Sequence, residues 1–492
     1  MTKAVNDVPV GTGIDLLAER DPDAVALICP DRTVTRAELA TASSRAAREF
    51  AALGVTQGSM VTIGLPNGAA FYVAVVAAWK LGAIPQPVSA KLPPAELAAI
   101  VEVADPSLVV GTEAIDRPWL PAEWSPDETL SAGPLRPMLP PSWKAPTSGG
   151  STGRPKIIVA GDAGWLASVT GRAERLRIGG PGDVFAVTAP LHHNAPFMFS
   201  LIALLRGCTI LVLDHFDGAT VLDAVVRHRV AWLYAVPTLM GRILRLPADV
   251  RAKADLSSIR TMLHVGAPCP ELVKRAWIDW LGPGCVVELY AGTESLAVCM
   301  IDGAEWLEHP GSVGRPVSGE MRILDEDGRP LPPGEIGEVW MRPPPDATPY
   351  HYIGAEARAR DGWESLGDLG HIDADGYVYL ADRRADLILV GGSNVYPAEV
   401  EAALSEHPHV LSSCVVGLPD DDLGARVHAI VQLDAAVSPT VVSDDDLRAH
   451  LRARLTPDKV PSTFERVELP LRDDAGKIRR SALRAARLAR PD

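Results

Sequence analysis

Through the first 290 residues, short apolar runs alternate with longer stretches whose apolar positions recur at helical spacing. Val61 to Leu65 precedes such a stretch over Ala69 to Leu81. The pairing returns with Thr209 to Leu213 before Ala219 to Arg227, and with Ala231 to Val236 before a helix starting near Pro237. Thr261 to Val265 then precedes Glu271 to Leu281, and Cys285 to Tyr290 follows. Uninterrupted apolar strands separated by helices predict a parallel sheet covered by helices, an α/β fold. Between about 312 and 380 the texture changes to short strands punctuated by Asp325-Glu326-Asp327-Gly328, Pro332-Pro333-Gly334 and Asp373-Ala374-Asp375-Gly376. Such turns predict an antiparallel, β-barrel-like part. After Arg383 come another strand, a Gly-Gly turn, a helix from about Pro397 to Ser405 and two further strand–helix passages. The expected organisation is therefore a large N-terminal domain, 1–383, and a small, mobile α+β C-terminal domain, 384–492. The proline-rich stretch 115–146 reads as a meandering loop.

Length and charge narrow the class. A chain of 492 residues exceeds what one core supports. Its formal charge of −15 argues against nucleic-acid or anionic-membrane partners. The six cysteines, Cys29, Cys208, Cys269, Cys285, Cys299 and Cys414, form no CxxC pair, which reads as reduced thiols and a cytoplasmic location. Met1 to Gly13 has no apolar signal core, and runs such as Ala69 to Trp79 fall short of the ~20 residues that span a bilayer. An abundance of Ala, Arg, Gly and Pro points to a GC-rich bacterial gene.

The chemistry is concentrated first in Ser148-Gly149-Gly150-Ser151-Thr152-Gly153-Arg154-Pro155-Lys156, which packs three glycines, three hydroxyls and two cations into nine residues. Glycines allow a concave loop whose N–H groups face an anion, and hydroxyls and a lysine add donors. That is the chemistry of a polyphosphate cradle, although one such segment in isolation would also suit a glycine-serine surface turn. It differs from the common P-loop because an apolar strand, Ile157-Ile158-Val159, follows in place of a helix and no glycine precedes a Lys-Ser/Thr pair.

Further motifs follow in order: Pro190-Leu191-His192-His193-Asn194, Gly266-Ala267-Pro268, Tyr290-Ala291-Gly292-Thr293-Glu294, Gly337-Glu338-Val339, Gly367-Asp368, Asp375-Gly376-Tyr377, Asp382-Arg383, Gly391-Gly392-Ser393-Asn394-Val395-Tyr396-Pro397 and Gly476-Lys477. In this ordered set the chain resembles the acyl-activating adenylate-forming superfamily, which contains acyl-CoA synthetases, nonribosomal-peptide adenylation domains and beetle luciferases.

The resemblance implies roles. Ser148, Gly149, Gly150, Ser151, Thr152, Gly153 and Lys156 would hold the ATP phosphates, and Thr293 would add a phosphate contact. Glu294 would help hold Mg²⁺, a hard cation suited to oxygen ligands. Asp368 would accept from the ribose hydroxyls, with Arg383 beside it. Gly266, Ala267 and Pro268 on one side and Tyr290 on the other would wall the adenine slot. Glu288, Leu289, Ala291 and Gly292 are counted with the nucleotide contacts. His193, next to His192, would gate an acyl pocket with Asn194, Phe197, Ala235, Ala267 and Ala291. Lys477 matches the catalytic lysine that reaches the substrate carboxylate and α-phosphate. Gly391 and Gly392 would line the pantetheine tunnel. Three positions depart from the usual pattern: Gly149 replaces a hydroxyl residue, Leu366 replaces the threonine before Gly-Asp, and Ala385 stands at the hinge.

The activity implied is ATP- and Mg²⁺-dependent conversion of a carboxylic acid to its CoA thioester, with ATP and CoA as co-substrates. Two alternatives stay open: transfer of the acyl group to a carrier protein or separate thiolating partner, and a non-catalytic nucleotide-binding relative. The assembly is open too, with a homodimer as candidate. Residues 192 to 200 carry no acid to pair with an α-ammonium, and burying that charge alone would cost several kcal/mol. Ala195, Phe197, Met198 and Phe199 instead predict a roomy apolar pocket, and the wording around them is similar to bile-acid and other bulky-acid CoA ligases. A polycyclic, terpenoid or aromatic acid is the expected substrate.

Overall fold

Local signals open several helices. The Thr35 hydroxyl accepts from the Glu38 N–H at 3.2 Å while the Glu38 carboxylate accepts from the Thr35 N–H at 2.7 Å, a reciprocal cap on the helix Arg36–Ala52. Asp217 accepts from the N–H groups of Ala219 and Thr220 and opens Gly218–His228. The helix Ala69–Lys80 is apolar on every side because it is buried on every side. Its one cation, Lys80, is satisfied by the Asp15 carboxylate at 2.6 Å, the Ser44 hydroxyl at 2.8 Å and the Ala40 carbonyl at 3.0 Å.

The computed structural model of the chain describes residues 8–114, 116–149, 155–214, 216–390, 393–420, 423–434, 442–473 and 476–489. Its main sheet has nine strands. Six central strands, Val286–Ala291, Thr261–His264, Trp232–Ala235, Val184–Val187, Thr209–Val212 and Val25–Ile28, run parallel in that order. Antiparallel strands finish both edges: Val298–Asp302 and Arg315–Ser318 on one side, Thr33–Thr35 on the other. A second, parallel sheet joins Ile84–Pro87, Met60–Ile63, Leu108–Val110 and Trp119–Leu120. The strands and helices read from the sequence here fall within a residue or two of the observed ones.

Glu320–Leu324, Gly337–Arg342, Arg358–Arg360, Trp363–Ile372 and Val378–Arg383 form the expected antiparallel part. The small C-terminal unit has its own core around Val400, Leu404, Val415, Ala429 and Leu447. There Val410–Asp420, Gly424–Leu433 and Thr463–Val467 make a mixed sheet, with helices Pro397–Ser405, Asp444–Arg452 and Arg480–Leu488. A short turn, Arg384–Asp386, leads from one unit to the other. The architecture is thus mixed α/β, a large N-terminal unit and a small α+β C-terminal one. Among the described residues no helix is long and apolar enough to cross a membrane.

Candidate active site

Open parallel sheets bind ligands beyond the carboxyl ends of their strands, and the predicted residues gather there. Thr261–His264 ends in a turn at Gly266, whose φ of +92° favours glycine. Val286–Ala291 ends in Gly292-Thr293-Glu294, followed by Ser295 at φ +57°, a left-handed conformation uncommon outside glycine.

The corner expected to hold ribose is built by strand register. Asp368 and Arg383 are direct partners across antiparallel strands, and the Arg383 Nε lies 3.4 Å from Asp368 Oδ1. The Tyr290 hydroxyl donates to the other oxygen, Oδ2, at 2.6 Å. Burial and then the Asp368 charge push the tyrosine pKa well up, so the phenol stays protonated and donating. Tyr290 therefore orients the carboxylate as well as offering a ring.

At the corner expected to hold the phosphates, the strand Pro155–Val159 pairs antiparallel with Thr147–Gly149, which sets Ser148 opposite Lys156. Lys156 Nζ lies 3.4 Å from Glu294 Oε1, and the Tyr352 hydroxyl donates to the same oxygen at 2.5 Å. The Glu294 side chain is 7% exposed. A Cβ at Gly292 would stand 2.8 Å from Glu294 Oε2 and 2.2 Å from Leu366 Cδ1, so a side chain there would force both to shift. Leu366 packs against the apolar cluster of Leu296, Ala297 and Val339, which explains an apolar residue where a threonine is usual. Among the described residues no three His, Cys, Asp or Glu side chains converge into a metal cage. A cation here would take Glu294 together with oxygens of an anionic ligand.

The acyl-side corner is the start of the helix Asn194–Leu205, with His193 as its N-cap residue. Asn67 fixes the loop before it, donating to the Ala189 and Leu213 carbonyls at 3.0 and 3.1 Å and accepting from the Leu191 N–H at 2.8 Å. Burial, His192 and Lys477 drive the His193 pKa down to about 2, so its imidazole is neutral at working pH. Beneath it, Lys144 is 3% exposed and donates to Asn194 Oδ1 at 2.5 Å. Burial, reinforced by Arg172, lowers the Lys144 pKa to about 7, with Glu294 and Asp162 opposing.

Lys477 arrives from the small unit. Asp473 accepts from its backbone N–H at 2.9 Å, and Arg472 donates to the Gly476 carbonyl at 2.9 Å. Gly476 has φ +75°, and a Cβ there would come 2.9 Å from the Thr238 hydroxyl of the large unit, so glycine serves both the turn and the close approach. Lys477 is exposed to solvent. Burial lowers its pKa, Asp473 opposing and Arg383 adding to the fall.

Three of the expected residues stand in packed surroundings. Phe197 is fully buried edge-on against Phe71, 6.0 Å between centroids. Glu288 is buried on Lys274 at 2.5 Å, and Leu289 joins the main core. Ala235 is buried at its strand end, while Ala267 and Ala291 are half-buried and Pro268 exposed. Gly150, Ser151, Thr152, Gly153, Gly391 and Gly392 lie outside the described residues. Sequence reasoning missed Tyr352, Lys144 and Asn67. A lysine in an otherwise apolar Trp-Lys-Ala-Pro approach to the glycine loop was the one available signal.

The AMP-binding enzyme family model matches residues 15–351, and the AMP-binding enzyme C-terminal domain model matches 399–477. The sulfoacetate–CoA ligase of Cupriavidus necator is 31% identical, with 96% of each chain covered. The feruloyl-CoA synthase of an Amycolatopsis species is 32% identical, over 95% of this chain and 96% of that one. The o-succinylbenzoate CoA synthetase of Bacillus subtilis, solved with its acyl-adenylate intermediate, superposes with a TM-score of 0.81 at 28% identity, covering 96% of this chain and 98% of the other.

Proposed function

The chain belongs to the AMP-binding enzyme family, and from that premise we propose that it joins a carboxylic acid to CoA in two steps. A carboxylate oxygen attacks the α-phosphorus of ATP, the bond to the bridging oxygen breaks, and pyrophosphate leaves with the electron pair. The CoA sulfur then attacks the acyl carbon, the bond to AMP breaks, AMP leaves, and the thiol proton passes to solvent. Charge develops on phosphate oxygens in the first step, so positioned donors should supply most of the catalysis.

Asp368, oriented by Tyr290 and Arg383, accepts from the ribose hydroxyls. Lys156 meets the β- and γ-phosphates. With Tyr352 and Lys156 both at Oε1, the Glu294 carboxylate is a fitting ligand for Mg²⁺, which when bound supplies charge neutralisation to the triphosphate. Neutral His193 lies against the acyl carboxylate without competing for its charge. The Lys477 ammonium bridges that carboxylate and the α-phosphate. The observation that carries this reading is the Lys477 hairpin seated against Thr238, within the electrostatic reach of His193 and Arg383.

For the thioester step the small unit turns about Ala385. Its neighbours are tied to opposite sides: Arg384 donates to Glu338 of the large unit at 3.0 Å, and Asp386 accepts from Arg480 of the small unit at 2.9 Å. The acid is hydrophobic and bulky in this reading. Half-exposed Ala195 and Met198 support it, as does the lack of any carboxylate in the first turns of their helix. Acid-dependent ATP–pyrophosphate exchange over fatty, aromatic, steroid-like and terpenoid acids tests the proposal. Exchange with a bulky apolar acid, followed by thioester when CoA is added, is expected. Exchange with small polar acids alone would overturn the substrate class, and exchange without thioester would favour a carrier-protein acceptor.

A further inference from the structure

Tyr352 belongs to none of the motifs that mark the site, yet it touches two of their residues. It lies on the short strand His351–Ile353, opposite Ile158 on the strand that follows the glycine loop. That pairing carries its ring to the phosphate corner. The hydroxyl donates to Glu294 Oε1 at 2.5 Å and accepts from Lys156 Nζ at 3.1 Å. The same ammonium sits 4.1 Å from the centre of the Tyr352 ring. Tyr350 packs on that ring edge-on, centroids 4.9 Å apart, and is itself anchored to Glu364 at 2.6 Å.

The distances are informative together. Charged N–H···O bonds usually run about 2.7–2.9 Å, and Lys156 to Glu294 is stretched to 3.4 Å. The short bond to Glu294 Oε1 belongs to tyrosine. A lysine and a glutamate left alone at a site where the carboxylate is 7% exposed would close into a direct pair, costly to reopen in that low-dielectric corner. The ring face gives the ammonium a partner that does not compete for phosphate oxygens.

We infer that Tyr352 is a positioning residue for adenylation: its hydroxyl and ring keep Lys156 and Glu294 from collapsing onto each other, so both stay available to the triphosphate and its cation. The inference rests on the acid-adenylating reading above. It predicts a loss confined to ligands that carry β- and γ-phosphates.

The test is calorimetric binding of ATP with Mg²⁺, and of AMP, to wild type, Tyr352→Phe and Tyr352→Leu, without acid so that no turnover occurs. Tyr352→Phe should weaken ATP binding on the order of 10-fold, the scale of one charge-assisted hydrogen bond. Tyr352→Leu, which also loses the ring, should weaken it further. AMP affinity should stay at the wild-type value in both. In Tyr352→Phe the effect should shrink when combined with Glu294→Gln, because the hydroxyl acts through that carboxylate. Equal ATP affinity in wild type and Tyr352→Phe would overturn the inference. So would a parallel fall in ATP and AMP affinity, which marks a merely structural tyrosine. Failure of the wild type to bind either nucleotide would instead overturn the adenylating reading itself.

Discussion

The large and small units meet at one cleft but contribute to it in opposite ways. On the large unit's side, Asp368 and Arg383 stand opposite each other on paired strands, Tyr290 donates to Asp368 from the main sheet, and Glu294 and Lys156 share Tyr352. The small unit reaches the cleft through Gly476 and Lys477, held by Asp473 and Arg472 of its own hairpin. Away from the connecting turn the polar ties across the gap include exposed ones, Arg245 donating to the Leu411 carbonyl at 3.3 Å and Arg479 3.7 Å from Glu96, whereas beside the turn the buried Asp382 accepts from the Ala398 N–H at 2.7 Å. In the proposed two-step reaction the preassembled face would serve both steps, and the lysine carried on the small unit only the first.

The largest expected effect removes the delivered charge. Lys477→Ala should slow adenylation by about 100-fold or more, as losing a donor to developing charge generally does. Conversion of supplied acyl-AMP and CoA to thioester should be largely retained. Equal loss of both half-reactions in a folded protein would erase the division between the units.

Glu294→Gln acts on the binding face and keeps the side chain's shape. Adenylation should fall by about 10-fold or more, about 1.4 kcal/mol, with a raised Mg²⁺ requirement. Affinity for preformed acyl-AMP should hardly change, because that ligand has no β- or γ-phosphate. A normal Mg²⁺ titration with unaltered exchange kinetics would remove Glu294 from the site.

Lys144→Met sharpens the comparison through stability. The lysine pKa is about 7 folded against 10.5 for the free group. Between those values the unfolded chain binds more protons, so stability gains as pH rises through that window and is lost as it falls toward 7. One such group limits the slope to about 1.4 kcal/mol per pH unit. Urea midpoints of wild type and Lys144→Met from pH 7 to 10 should therefore diverge, the wild type alone carrying this upward component. Parallel curves would show that the buried amine titrates normally.

The smallest effect belongs to the tether. Arg479→Glu opposes Glu96 at an exposed pair, and such pairs are worth roughly 0–1 kcal/mol. Adenylation should drop by less than about fivefold, and salt should narrow the difference. A larger loss that salt does not touch would mean the small unit is fixed more firmly than its contacts indicate.

Much of this was legible before any coordinates. The alternation from Val61 to Tyr290 depends on local period, while Asp368, Glu294 and Lys477 were singled out by the resemblance that their ordered motifs carry. What escaped depends on partners distant in sequence. Tyr352 reaches the site only because His351–Ile353 pairs with a strand nearly two hundred residues earlier. Lys144 hides in a proline-rich loop whose end is packed between the sheet and the helix carrying Asn194. The packing of Phe197 was not legible because Asn194–Leu205 is apolar on almost every side, which leaves no pattern to separate pocket from core. Glu288 shares a strand with Tyr290, but its partner Lys274 comes from the helix Glu271–Leu281, which spacing along the strand does not reveal.

Acid adenylation should precede thioester formation on this one chain. In a rapid-quench experiment, protein, ATP, Mg²⁺ and acid are mixed, sampled for nucleotides and acyl-AMP, and then given CoA. Acyl-AMP and pyrophosphate should appear together before CoA is present, and added CoA should convert the bound adenylate to thioester and AMP. ADP and phosphate in place of AMP and pyrophosphate, or thioester forming with no adenylate ahead of it, would contradict this scheme.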